Sequence, residues 1–216
     1  EGPRSHARGV RRAETGVSLL QVEGLAKEFG GVRAVDDLGL EIAPGVVFSI
    51  IGPNGAGKTT LLNLLTGIYA PSAGRILVEG RELTGRAPHA FAAAGIGRTF
   101  QNLQVFFNMS ALENVMVGRH LHERCGMVSA LLRFPSLARA EHACRSESEE
   151  LMRFVGLAEW LEAPAEAMPY GALKRLEIAR ALAARPKLLL LDEPAAGLNP
   201  TETMEIDELI QKIGAS

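Results

Sequence analysis

Cysteine is scarce: the 216 residues contain two, Cys125 and Cys144. They lie far apart and fit neither a CxxC pair nor a metal-ligand spacing. That excludes a disulfide framework and a cysteine-built zinc or iron–sulfur site; both are expected to be small, reduced, partly buried residues. Charge of one sign is lacking too. Lys+Arg 23 against Asp+Glu 25 leaves −2, so composition gives no reason to expect nucleic acid as a partner. No apolar run approaches the roughly 18 residues of a membrane span. The longest runs, residues 46–51 and 188–191, have the length of buried strands. If the protein works at a membrane, other subunits must hold it there. Residues 1–16 lack an apolar core segment and carry Arg4, Arg8, Arg11 and Arg12. They read as a disordered leader, not a signal peptide. The chain opens with Glu1 instead of Met, which suggests a fragment.

What is present suits a soluble core. The hydrophobic fraction of 47% is ample for one large domain, or a core with an inserted subdomain. Residues 18–22 and the alternating Leu38, Leu40 and Ile42 read as strands, with turns at Gly30-Gly31 and Pro44-Gly45. Residues 46–51 read as a central strand buried on both faces. A Gly-rich loop follows, then a helix over 58–66, a turn at 71–74 and a short strand at 76–78. Residues 110–164 are rich in Ala, Leu, Glu and Arg, with a solvated helix over 138–154. Phe154, Trp160 and Leu161 are spaced like that subdomain's buried face. A further helix over 171–184 precedes a second fully buried strand, 188–191. Thr201 is the expected N-cap of a last helix over 202–213. Strands alternating with helices imply a parallel α/β sheet.

Gly52-Pro53-Asn54-Gly55-Ala56-Gly57-Lys58-Thr59 matches G-x-x-x-x-G-K-[ST]. Each position has a physical reason. Glycines let backbone N–H groups turn inward around a phosphate. The helix that follows aims its positive end at the same group. Lys58 reaches the β- and γ-phosphates, the Thr59 hydroxyl ligates Mg²⁺, and Thr60 is secondary. The match lies between an apolar run and a helix, the setting this loop requires. Four leucines then lead into Asp192 and Glu193. An acid at the tip of a buried parallel strand lies where such sheets bind ligands. Asp192 would hold Mg²⁺ through water, and Glu193 would activate the attacking water as general base.

With these residues in view, the chain resembles the ATP-binding subunits of ABC transporters over nearly all of residues 17–216. Phe29 stands where that family puts an aromatic that stacks on adenine. Arg98-Thr99-Phe100-Gln101 resembles its Q-loop, which implies that Gln101 contacts Mg²⁺ or the water and reports to the membrane subunit. Met168-Pro169-Tyr170-Gly171-Ala172 occupies the signature position, and Ala195-Ala196-Gly197-Leu198-Asn199 resembles the D-loop. Pro169-Tyr170-Gly171, Phe100-Gln101-Asn102 and the run from Glu113 to Gly118 are most similar to the branch that imports branched-chain amino acids.

The resemblance implies an α/β phosphate-loop NTPase (RecA-like) core with an antiparallel β edge and an inserted helical subdomain. The leader would be 1–16 and the ATP-binding domain 17–216, with core about 17–102 and 172–216, helical subdomain about 103–171, and a C-terminal part missing. It implies ATP and Mg²⁺ as cofactors, and transmembrane permease subunits and a second ATP-binding subunit, identical or different, as partners. A periplasmic substrate-binding protein acts indirectly, and the site of action is the cytoplasmic face of the bacterial inner membrane. In a head-to-tail pair, Gly171 would face the partner's γ-phosphate. Two departures are visible. Ala172 and Leu173 stand where polar residues are usual, so weaker contact across the pair is expected. The family also carries a switch His about 30 residues past Asp192, after a strand lying between those of the two nucleotide motifs. Here the last histidine is His142, and the chain alone is expected to bind nucleotide poorly. Phe106-Phe107 would border the groove that receives the membrane subunit. Three alternatives remain: the ATPase of another transporter, such as a lipopolysaccharide exporter; a non-transport ABC protein acting in translation or DNA repair; and a binding module with impaired hydrolysis.

Overall fold

A computed structural model describes residues 18–119 and 135–215. The leader and Cys125 lie outside the described residues. The chain divides into two compact units, the first ending at Ala90 and the second beginning at Phe91.

The first unit is built on an antiparallel sheet. β1 (Leu20–Phe29) and β2 (Val32–Ile42) form a hairpin around the Gly30-Gly31 turn. β3 (Ala73–Val78) pairs with the other edge of β1, and β4 (Arg81–Glu82) closes the order β2-β1-β3-β4. Alternation puts Leu20, Val22, Ile76 and Val78 on the buried face. α1 (Lys58–Leu64) buries Leu61, Leu62 and Leu64. The antiparallel edge expected from the resemblance is therefore this sheet.

Residues 46–51, expected as a central strand buried on both faces, form no strand. Val47 is 45% exposed and Ile51 93%. The physical reason is pairing. Apolar composition makes a segment fit to be a strand, but its N–H and C=O groups need a neighbouring backbone. Among the described residues none pairs with this run.

The second unit carries the helices. α2 (Pro88–Ala93) spans the boundary. β5 (Ile96–Arg98) pairs in parallel with β6 (Leu188–Leu190), in the register Ile96 to Leu188 and Arg98 to Leu190. Of the run expected to be fully buried, only Leu190 is; a two-stranded ribbon covers too little of residues 188 and 189. α3 (Ala111–Gly118) starts at a capping box: the Ser110 hydroxyl accepts from Glu113 N–H and Glu113 accepts from Ser110 N–H. α4 (Pro135–Phe154) is lined with ion pairs, including Arg145–Glu149 at 3.3 Å and Arg153–Glu149 at 3.1 Å. α5 (Tyr170–Ala183) is Ala- and Leu-rich and ends where Arg185 turns left-handed (φ 46) before Pro186. α6 (Pro200–Ala215) begins earlier than expected. Asn199 Oδ1, not Thr201, accepts from Glu202 N–H at 3.0 Å, and Glu202 returns the bond to Asn199 N–H. Pro200 at the first helical position fits that start.

The core of this unit joins Leu112 and Val115 of α3, Met152 of α4, and Leu176 and Ala179 of α5. α3 meets α5 at Gly118, where a Cβ would lie 2.2 Å from the Arg180 carbonyl oxygen. Trp160 and Leu161 pack against this core as expected. Phe154 does not: it is 41% exposed, because the final turn of α4 points it outward while Met152 and Val155 face in.

Candidate functional site

The phosphate-loop residues lie in the first unit. The loop turns through left-handed backbone at Gly55 (φ 83) and Gly57 (φ 82). Gly57 has a second constraint: a Cβ there would meet the Ala34 carbonyl oxygen of β2 at 2.2 Å. Any side chain would push the loop away from the sheet. Ala56 N–H donates to the Pro53 carbonyl at 3.2 Å, which tightens the turn. Lys58 Nζ donates to the carbonyls of Gly52 and Pro53, at 2.7 and 3.0 Å, and so stands at the loop's mouth. No side chain caps α1, which leaves its first N–H groups to acceptors outside the helix. Thr59 is exposed and Thr60 half-buried. Gly52, Pro53, Asn54, Gly55, Ala56, Gly57, Lys58, Thr59 and Thr60 thus form one continuous loop-to-helix segment.

Phe29 closes β1 and is 43% exposed. Tyr69 meets its ring edge-on, with centroids 5.3 Å apart. Lys27 Nζ lies 4.9 Å from the Phe29 centroid and donates to the Ala70 carbonyl at 2.8 Å. Neither Tyr69 nor Lys27 was expected from the sequence; Tyr69 lies far along the chain from Phe29, while Lys27 stands two residues before it on β1.

The carboxylate residues lie in the second unit, just past the ends of β5 and β6. Asp192 is buried and bonded to Arg98 at 3.0 Å, both side chains being 5% exposed. A buried charge is tolerated only when paired, and this pair satisfies that. Arg98 was quoted in the sequence only as part of a motif. Glu193, one residue on, is exposed and takes left-handed backbone at φ 50. That conformation costs a non-glycine residue on the order of 1 kcal/mol or more. Gln101 Nε2 donates to Glu193 Oε2 at 3.2 Å. The two residues expected to be catalytic are therefore in direct contact.

Thr59, Gln101 and Asp192 are the residues expected to hold Mg²⁺. All three offer hard oxygen atoms, the donor type that ion takes. Among the described residues no group of three His, Cys, Asp or Glu could hold a metal by itself. Thr59 belongs to the first unit and Gln101 and Asp192 to the second, and each supplies by itself an oxygen of the type Mg²⁺ takes. Arg98 is the competing charge on Asp192.

Gly171 lies in the first turn of α5. A Cβ on it would meet Glu202 Oε1 at 2.5 Å, so the α6 capping carboxylate lies against this glycine. Ala172 and Leu173, which depart from the usual polar signature, are 1% and 7% exposed and belong to the hydrophobic core. Their apolar character has a packing reason. A groove of about 450 Å³ runs along this unit, lined by Phe100, Phe106, Val117, Glu177 and Arg180. Arg180 stacks on Phe106 at 5.4 Å. Buried Asn114 fixes Phe106 through both its N–H (2.8 Å) and its carbonyl (3.0 Å). Burial pushes the Glu177 carboxyl up from its ordinary value, against hydrogen bonds from the backbone of Phe100 and Gln104.

The profile of the ABC transporter family matches residues 35–196, which include the phosphate loop, Gln101, the signature stretch, Asp192 and Glu193. The chain belongs to the ABC transporter family. The high-affinity branched-chain amino acid transport ATP-binding protein LivG of Escherichia coli K12 is 44% identical over 195 residues, 90% of this chain and 76% of LivG. Its counterpart BraF of Pseudomonas aeruginosa is 43% identical over the same shares. Among solved structures, the ADP conformation of MJ1267, an ATP-binding cassette of an ABC transporter, matches with TM-score 0.77 at 29% identity. That match covers 93% of this chain and 78% of MJ1267. The fold is that of an ABC ATPase cassette, and the chain is an ABC nucleotide-binding ATPase subunit. No helix among the described residues is long and apolar enough to cross a membrane.

Proposed function

We propose that this ABC subunit binds MgATP and hydrolyses it to drive import of branched-chain amino acids through separate permease subunits. The observation that carries the catalytic part is the Gln101–Glu193 hydrogen bond at 3.2 Å, beside the strand end that bears Asp192. Residues 52–57 with Phe29 bind the nucleotide, and Lys58 neutralises its terminal phosphates. Thr59, Gln101 and Asp192 are the residues that would hold Mg²⁺, which would supply screening of the phosphate charge. Glu193 takes a proton from the attacking water, and Gln101 orients that water against the carboxylate. Gly171 serves the nucleotide of a second ATP-binding subunit. The groove lined by Phe106 and Arg180 receives the permease, which puts the subunit at the cytoplasmic face of the inner membrane. We assign residues 17–102 and 172–216 to the core and 103–171 to the helical subdomain. Support for the solute class is the 43–44% identity to LivG and BraF.

The test is Glu193→Gln. It should retain ATP binding and lose turnover by about 100-fold or more, the usual weight of a general base. A variant that turns over at the wild-type rate removes Glu193 from the reaction. For the solute, ATPase activity of the reconstituted transporter should rise with a binding protein loaded with leucine, isoleucine or valine. Stimulation by a different class of solute alone would reject the amino acid assignment.

A further inference from the structure

α5 carries two charged side chains that core packing does not explain. Lys174 is 2% exposed and Glu177 3%. They lie one turn apart on one helix face, and burying either charge is costly unless its hydrogen bonds are met. Both find their partners in a single stretch of irregular backbone. Lys174 Nζ donates to the Gln101 carbonyl at 3.2 Å. Glu177 Oε1 accepts from Phe100 N–H at 3.1 Å, and Glu177 takes a second backbone hydrogen bond from Gln104. The backbone is thus held before, at and after Gln101. The same helix face reaches the other loop one turn earlier: Tyr170 Oη donates to the Ala196 carbonyl, three residues past Glu193, at 3.4 Å. One rigid face therefore holds both loops whose side chains meet at Gln101 and Glu193.

We propose that Lys174 and Glu177 are positioning residues for hydrolysis, fixing the backbone around Gln101 so that its amide stays on the Glu193 carboxylate. This rests on the roles given above to Gln101 and Glu193. A hydrogen bond between two exposed side chains is easily lost to water, and tying the backbone beneath Gln101 to a buried helix lowers the ordering cost of keeping it. Glu177 also lines the groove beside Phe106 and Arg180.

The experiment is steady-state ATPase kinetics of the reconstituted transporter carrying Lys174→Met, Glu177→Ala or Glu177→Gln in this subunit, each with a thermal melt of the subunit. Lys174→Met and Glu177→Ala should lower kcat by about 10-fold or more with KM for ATP within about 2-fold, since misplacing a reacting group costs turnover and not ground-state binding. Glu177→Gln keeps an acceptor of nearly the same shape but weaker, and should fall only about 3-fold. Folded variants with kcat unchanged, or with the whole loss in KM, overturn the proposal. Should the first two fail to fold, Glu177→Gln decides by the same criterion. Gln101→Ala and Glu193→Gln are measured alongside. If those two keep wild-type turnover, the reading of the site itself is wrong. If they lose turnover while the α5 variants keep it, only the positioning role fails.

Discussion

Two apolar runs lead into the two groups of nucleotide-binding residues, and the structure treats them differently. Residues 188–190 form β6, bonded in parallel to β5, and deliver Asp192 to a buried position against Arg98. Residues 46–51 form no strand, and Val46, Val47, Phe48, Ile50 and Ile51 are exposed. Composition separates them little: both are dominated by large apolar residues, Ser49 being the one polar residue in 46–51. What separates them is a partner. The lesson is that a hydrophobic run records a capacity for burial, while strand formation needs a second backbone in register. Functional side chains inherit this difference. Lys58 is positioned by its own loop's carbonyls and by Gly57 against Ala34, Asp192 and Gln101 by the pairing of two strands and by α5.

Hydrogen exchange tests the contrast most directly and should give the largest effect. The amides that face the partner strand, such as Leu188 N–H on the Gly95 carbonyl at 3.1 Å and Thr99 N–H on the Leu190 carbonyl at 3.0 Å, should be protected by about 1,000-fold or more relative to residues 46–51, since paired core strands open only with the unit that holds them. Equal protection of the two runs would mean that residues 46–51 are paired in solution. Next in size is truncation. Leu176→Ala removes a fully buried side chain from the second unit's core and should cost about 2–5 kcal/mol in urea unfolding. Ile51→Ala, at 93% exposure, should change stability by about 0.5 kcal/mol or less. A large cost at Ile51 would show that this side chain is buried in solution and collapse the comparison.

How much of this was legible depends on how local each feature is. The phosphate loop, the acidic pair Asp192 and Glu193, the helices over 58–64 and 170–183 and the β1–β2 hairpin all carry their signal within a short stretch. The family resemblance then fixed the fold class and supplied Gln101 and Gly171. Features built from distant residues were not legible: Arg98 on Asp192, Tyr69 on Phe29, Lys174 and Glu177 on the Gln101 backbone. Residues 46–51 failed for the same reason in reverse: the apolar run is a local signal but its pairing is not, and the strand that the resemblance places between the two motif strands is not found among the described residues. Two misses were local and avoidable. Ser110-x-x-Glu113 and Asn199-x-x-Glu202 both spell a capping box, and Pro200 after Asn199 marks a helix start.

Those caps give the next prediction down in size. Ser110→Ala removes the acceptor for Glu113 N–H and should cost about 1 kcal/mol, with α3 still formed. Because Glu113 returns its own bond to Ser110 N–H, Glu113→Ala in the same background should cost less than it does alone, the mark of a coupled pair. Full additivity would mean the two bonds hold independently.

Acid response is the smallest effect and the one that distinguishes a half-exposed, ion-paired carboxylate from a buried one within the second unit. Glu147 is bonded by Arg119 and by Arg185, and the Arg119 hydrogen bond first holds its carboxyl below the ordinary 4.5. Below 4.5 the unfolded chain binds the proton that folded Glu147 refuses. The stability this group contributes is therefore present above about 4.5 and lost as pH falls through its folded value. Glu177 has the opposite sign. Burial raises its carboxyl above 4.5, so its contribution is fully present below 4.5 and is lost as pH rises through the raised folded value. Urea unfolding across pH about 3 to 8 should separate them. Glu147→Gln should flatten the loss on the acid side and leave the neutral side unchanged. Glu177→Gln should do the reverse, steepening nothing below 4.5 and removing the decline above it. If Glu177→Gln leaves the profile untouched, the carboxylate beneath Gln101 is as well solvated as one at the surface, and burial is not what holds its charge in check.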